Sequence, residues 1–273
     1  MYLDFYKLRE NPFNVTSDPS FLYMSETHKE ALAHLVFGIQ HRKGFIVLTG
    51  EVGAGKTTLC RALEKKLDAS VKTSIIFNPA LSENQLMESI LADFDIVPQK
   101  KNKGNFIKSL NSFLLDCLRD NNNVVLIIDE SQNLKKSSLE TIRMLSNLET
   151  EKEKLLQIVL IGQPELKEKL DHPNLRQLKQ RVAVRFHLDV LNAKEIKEYL
   201  YHRLNVAGSD GRIVFEDDTV NIITNYTKGI PRLINVIADK SLLLGFAKNT
   251  NYIYPDLVKQ AINETEGIFA ESY

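Results

Sequence analysis

Short apolar runs alternate with stretches of helical period through the first 190 residues. Residues 45–49 (FIVLT) form an unbroken apolar run ending at Gly50, the pattern of a buried strand. Residues 56–67 follow with Leu59, Leu63 and Leu67 at helical spacing. Residues 73–78 (TSIIFN) predict a second strand, and helices over 83–94 and 105–119 are joined by a polar loop at 97–104. A third strand is predicted at 124–129 (VVLIID), then a helix at 138–148, a fourth strand at 157–161 (QIVLI) and a fifth at 183–188. Such alternation builds a mainly parallel sheet covered by helices, an α/β fold. Past about Leu191 the strand patterns stop, and 193–204, 218–226, 232–248 and 255–263 read as helices. Pro231 suits a first helical position, where its missing N–H costs nothing. The expected division is an α/β core over 1–190 and an all-helical domain over 191–273.

Composition narrows the class. The 273 residues carry 35 Lys and Arg against 35 Asp and Glu, with 43% hydrophobic and 26% charged positions. These values exclude a disordered chain, a collagen-like chain and a protein that wraps nucleic acid by overall charge. Cys60 and Cys117 stand in no metal-ligand or redox spacing, which fits a reducing compartment. No run approaches the roughly 18–20 apolar residues of a membrane span, and the first residues have no signal-peptide core. A cytoplasmic protein is expected.

The strongest chemical signal is Gly50-Glu51-Val52-Gly53-Ala54-Gly55-Lys56-Thr57, followed by Thr58. It fits G-x-x-x-x-G-K-[ST] between a strand and a helix. Glycines let the backbone curl so that successive N–H groups face a phosphate, and the following helix adds its positive end. In that motif Lys56 neutralises the outer phosphates and Thr57 ligates Mg²⁺. The second signal is the apolar strand ending in Asp129-Glu130, which places two carboxylates at the sheet edge where α/β ligands bind. Asp129 is expected to hold the Mg²⁺ shell and Glu130 to polarise the attacking water. Together they predict a nucleoside triphosphatase. Gln163, at the exit of QIVLI, is a candidate for touching the γ-phosphate or the water, against a plain turn in Gly162-Gln163-Pro164. Arg176, Arg181 and Arg185 are candidates for a guanidinium acting on a neighbouring subunit's nucleotide, against a solvated basic face.

In this order the motifs resemble the AAA+ ATPases, and more narrowly the ExeA/GspA-type (MshM-like) family of bacterial secretion and pilus-biogenesis ATPases. The resemblance runs over nearly the whole chain: the opening FYKLRENPF, Asp18-Pro19, the segment HKEALAHL, GEVGAGKTT, DESQNL, LIGQPEL and GIPRLIN. It implies a P-loop NTPase core with a C-terminal helical lid, ATP and Mg²⁺ as cofactors, and a homo-oligomer, ring or filament. It also implies envelope secretion or pilus assembly proteins as partners, with attachment to the inner membrane through them. Arg232 falls where the lid's sensor arginine reaches the phosphates, and Gln163 takes the first sensor position. The segment RVAVRF resembles the finger region of replication-initiator ATPases and raises Arg181 and Arg185 above Arg176. The segment carrying Phe13 is implied to lie beside the adenine, although an apolar Phe13 also suits a core. Larger family members continue into a membrane helix and a peptidoglycan-binding domain. Both an ATPase half and a short member remain open for a sequence ending at Tyr273.

Two other classes stay in view. A DNA-associated ATPase of initiator or transposition-regulator type shares the finger pattern, but it needs a concentrated basic face, for which Lys100, Lys101 and Lys103 are the local candidates. A slow nucleotide-gated scaffold would work by lid closure, and the presence of Glu130 argues against an inactive site.

Overall fold

The computed structural model describes residues 1–270. In chain order the elements are α1 (Tyr2–Tyr6), α2 (Glu26–Gln40), β1 (Phe45–Gly50), α3 (Lys56–Lys66), β2 (Val71–Ile76), α4 (Glu83–Asp93) and α5 (Lys103–Arg119). There follow β3 (Asn123–Ile128), α6 (Lys136–Leu145), β4 (Gln157–Gly162), α7 (Pro164–Asp171), α8 (Arg176–Lys179) and β5 (Val182–Leu188). The chain then forms α9 (Ala193–Val206), β6 (Val214–Phe215), α10 (Asp217–Thr227), α11 (Pro231–Ala247), β7 (Tyr252–Ile253) and α12 (Pro255–Ala270). All five strands expected before residue 190 are present. The expectation that strands stop after Leu191 is corrected by β6 and β7, a parallel pair joining Val214 to Tyr252 and Phe215 to Ile253. Two residues per strand are too few to show a period of two along the chain.

The chain divides into two compact units, Glu26–Gly50 with Leu59–Leu188, and Met1–Ser25 with Glu51–Thr58 and Asp189–Tyr273. This differs from a cut at 190, because the N-terminal residues and the phosphate loop group with the C-terminal helices.

The first unit holds a five-stranded parallel sheet in the order β2-β3-β4-β1-β5. β1 and β4 are buried at every position, as strands covered on both faces should be. β5 is one of the two edge strands and reads as an alternation: Ala183, Arg185 and His187 are exposed, whereas Phe186 turns toward α2, where it meets the His34 ring at 5.1 Å. Ser82 starts α4 by a capping box with Gln85, which satisfies two backbone donors that the helix leaves open.

In the second unit the N-terminal segment lies in the helical core. Tyr6 is fully buried and its hydroxyl donates to the Leu242 carbonyl at 3.0 Å. Arg203 of α9, 6% exposed, donates to the carbonyls of Pro12 and of Asn14 (2.9 Å) and lies over the Phe21 ring at 4.8 Å. Asn235 of α11 donates to the same Asn14 carbonyl and accepts from Tyr199. These bonds explain why residues 1–25 belong here: Tyr6, Pro12, Asn14 and Phe21 find partners on α9 and α11.

Both thiols are buried. Burial, reinforced by the nearby Asp129 charge, pushes Cys60 up to about 12, and burial also raises Cys117. The reactive species is the thiolate, so a chromogenic disulfide reagent at pH 8 should label neither residue in the native protein and both after denaturation. Rapid labelling without denaturant would contradict this packing.

Candidate functional site

The phosphate loop leaves β1 at Gly50 and turns on two left-handed glycines, Gly53 (φ 80°) and Gly55 (φ 96°). The Glu51 carbonyl accepts from the Ala54 N–H at 3.1 Å and from the Lys56 ammonium at 2.8 Å. Lys56 is 5% exposed, so the loop keeps a cation out of bulk water at the first turn of α3. That is the donor set an anionic phosphate requires. Arg232, the second residue of α11, donates its backbone N–H to the Gly53 carbonyl at 3.3 Å. A Cβ on Gly53 would stand 2.6 Å from the Arg232 Cβ, so glycine is what lets α11 approach the loop so closely. Glu51, Val52, Gly53, Ala54, Gly55, Lys56, Thr57 and Thr58 are thus brought together with Arg232 in one unit, whereas Gly50 closes β1 in the sheet unit.

Phe13 is in the same unit, but its ring is 2% exposed and stands edge-on to Phe215, with centroids 6.4 Å apart. The side chain is a core residue.

The acidic edge belongs to the sheet unit. Asp129 is 2% exposed; its N–H continues the ladder to the Ile76 carbonyl, and its Oδ1 accepts the Glu130 N–H at 2.9 Å. Glu130 itself is left-handed, φ 50°. Ile128 pairs with Leu160, so the exits of β3 and β4 lie side by side, and the Gln163 side-chain amide donates to Glu130 Oε2 at 3.1 Å. The sequence reading placed Gln163 at this edge; its bond to Glu130 becomes visible only with the strand register. Gln132, which that reading passed over, also donates to Glu130 Oε2, at 2.5 Å. Its only sequence signal is its position in DESQNL, two residues past the acid.

Thr57 and Asp129 offer the hard oxygen donors that Mg²⁺ prefers. Among the described residues there is no group of three or more His, Cys, Asp or Glu able to hold a metal.

The three arginines separate. Arg181 donates to Ser146 Oγ at 3.0 Å and is anchored within its own unit. Arg185 projects from the open face of β5 into a cavity of about 500 Å³ that Arg176 also lines. There it donates to the Lys179 carbonyl at 3.3 Å and lies 3.9 Å from Asp171. Asp171 pairs with Lys179 at 2.7 Å, and that hydrogen bond first, with nearby Arg185 adding to it, holds its carboxyl below the usual range. The lysines of the 97–104 region are largely compensated: Lys101 is 3.7 Å from Glu88, and Lys103 bonds Glu83 at 2.9 Å and Thr141 at 3.2 Å. Two of the three charges a polyanion would need already face carboxylates. No helix among the described residues is long and apolar enough to cross a membrane.

Comparison with known proteins gives consistent findings. A family described as an AAA domain matches residues 39–170. General secretion pathway protein A of Aeromonas hydrophila is 42% identical over 272 residues, 98% of this chain and 49% of its own length. The chain therefore spans about half of that curated relative. Among solved structures, the Aeropyrum pernix ORC2 protein superposes with a TM-score of 0.67 at 17% identity, covering 94% of this chain and 72% of that one. The Pyrobaculum aerophilum CDC6P structure gives 0.66 at 17% identity, covering 90% and 70%. The Thermotoga maritima RuvB branch migration motor gives 0.57 at 18% identity, covering 86% and 68%. Likeness at such identity carries the fold, a P-loop sheet with a helical C-terminal region, and nothing of function.

Proposed function

We propose that this chain, which matches an AAA domain over residues 39–170 and is similar along nearly all of its length to General secretion pathway protein A, binds and hydrolyses ATP with Mg²⁺ at interfaces between its own copies, serving assembly of a cell-envelope secretion or pilus machine. The observation that carries the hydrolytic part is Gln163 bonded to Glu130 at adjacent strand exits, in a chain whose phosphate loop is complete. The loop N–H groups, Lys56 and Arg232 bind the phosphates; Thr57 and Asp129 would give oxygen donors to Mg²⁺, which would supply charge neutralisation at the phosphate oxygens. Water oxygen bonds to the γ-phosphorus while its proton passes to Glu130. The bond from that phosphorus to the β-bridging oxygen breaks, and its electron pair leaves with ADP. Arg185, on the open face of an edge strand, supplies the guanidinium to a neighbouring copy's nucleotide. The secretion partners rest on the name of that relative, and the pilus alternative and the placement at the inner membrane on the resemblance of the sequence motifs.

The test is ATP turnover per subunit against protein concentration, with light scattering alongside. Specific activity should climb as assemblies form, and Arg185→Ala should assemble yet turn over at least tenfold more slowly. Mixing Arg185→Ala with Glu130→Gln should restore part of the activity, because some interfaces then pair an intact arginine with an intact glutamate. Flat specific activity together with an unaffected Arg185→Ala would replace the composite site by a monomeric one.

A further inference from the structure

Gln132 stands between Glu130 and Gln163 and touches both. Its side-chain Nε2 donates to Glu130 Oε2 at 2.5 Å, and its Oε1 accepts the backbone N–H of Gln163 at 3.1 Å. Glu130 Oε2 therefore receives two amide donors, from Gln132 and from Gln163, while Oε1 has no hydrogen bond among the described residues. A primary amide of this length satisfies both ends at once. Aspartate or glutamate would set acceptor against acceptor, lysine or arginine has nothing to accept the Gln163 N–H, and asparagine is one methylene short.

The surroundings hold Gln132 in that place. Its backbone lies in the single turn Ser131–Asn133, where the Ser131 hydroxyl donates to the Ile128 carbonyl at 2.7 Å. The Lys169 ammonium, reaching from α7, donates to the carbonyls of Gln132 (2.7 Å) and Leu134 (2.6 Å). At the exit of β4, Gly162 leaves room for the amide: a Cβ there would stand 2.9 Å from Gln132 Oε1. Left-handed backbone at a glutamate is strained and persists only where the surroundings over-determine it, as this pinned turn does.

We propose that Gln132 is a positioning residue for hydrolysis, which fixes Oε2 of Glu130 so that Oε1 is the oxygen presented to the attacking water. The proposal rests on the reading of Glu130 as the proton acceptor. It gives Gln132 a task that Gln163 cannot perform alone. Once the Gln163 amide turns to the γ-phosphate, Oε2 keeps only the Gln132 donor, so Gln132 holds the aim of the carboxylate through the step in which Gln163 is occupied.

Steady-state and single-turnover hydrolysis by the full chain test this. Gln132→Ala should lower kcat about 10- to 100-fold, the cost of a misaimed reacting group, with KM and binding of a fluorescent ATP analogue within twofold of wild type. In a Glu130→Gln background the same change should add no further loss. A loss confined to kcat, and absent once the Glu130 carboxylate is gone, is a readout that a merely structural residue would not give. Wild-type kcat in Gln132→Ala, or an equal fold-loss in both backgrounds, would each overturn the proposal. If Glu130→Gln abolishes turnover while Gln132→Ala is unaffected, only the positioning role fails. If Glu130→Gln turns over normally, the reading of Glu130 fails first.

Discussion

Glu130→Gln should bind ATP as wild type does and hydrolyse it about 10²- to 10⁴-fold more slowly, the range that positioned acid–base groups contribute. The structure makes the loss chemical rather than architectural. Oε2 is the oxygen that accepts from Gln132 and Gln163, and a glutamine carbonyl placed there accepts both donors just as well. What the amide cannot do is take a proton with its other end, which becomes NH₂. The backbone at 130 is held by the Asp129 carboxylate and by the Asn133 N–H, bonds indifferent to the side chain. Thermal melting should therefore stay within about 2 °C of wild type, since little stability is at stake. Filter binding of labelled ATP beside single-turnover hydrolysis checks both halves. Loss of binding along with hydrolysis would mean that Glu130 supports the nucleotide itself, and the division of labour between phosphate loop and acidic edge would have to be redrawn.

How much of this was legible beforehand depends on whether a feature is local. Gly50 to Thr57 and the apolar strand ending in Asp129-Glu130 carry their chemistry in consecutive residues, so they can be read before any fold is known. α2 is legible as well, although no helix is predicted there: Ala31, Leu32, Leu35 and Ile39 stand at helical spacing on its buried face. The grouping of residues 1–25 with the helices was hidden. Arg203 sits in an ordinary helical pattern, and its partners Pro12 and Asn14 lie 191 and 189 residues away. Nothing local distinguishes a buried arginine from one on a solvated face. Gln132 is similar: its bond to the Gln163 N–H spans 31 residues and exists because β3 and β4 are neighbours in a particular register. Propensity and motif reach as far as the next turn of chain, and the coupling among Glu130, Gln132 and Gln163 lies one strand further.

Gly229→Ala should destabilise the helical unit by about 3 kcal/mol or more, among the largest effects a single methyl can have. Gly229 has φ 81°, where any Cβ is strained, and a Cβ built there would lie 2.0 Å from the Leu191 carbonyl oxygen, a backbone atom that cannot swing aside. The two segments are also bonded, the Leu191 N–H to the Gly229 carbonyl at 3.0 Å, so relief of the clash breaks that bond. Lys228, one residue earlier, should behave oppositely. It is left-handed too, φ 50°, as the C-cap of α10, and Lys228→Gly removes a strain of about 1–2 kcal/mol for an entropic cost of about 0.5–1 kcal/mol. Urea melts followed by helix signal should therefore move in opposite directions for these adjacent positions. The functional consequence runs through α11. The turn at 228–230 delivers Pro231 and Arg232 to the helix start, where the Arg232 N–H meets the Gly53 carbonyl. Gly229→Ala should thus weaken nucleotide binding even at temperatures where the protein remains folded, and Lys228→Gly should not. If Gly229→Ala melted and bound nucleotide like wild type, the Leu191 segment would have to yield without cost, and the phosphate loop would not depend on a fixed start of α11.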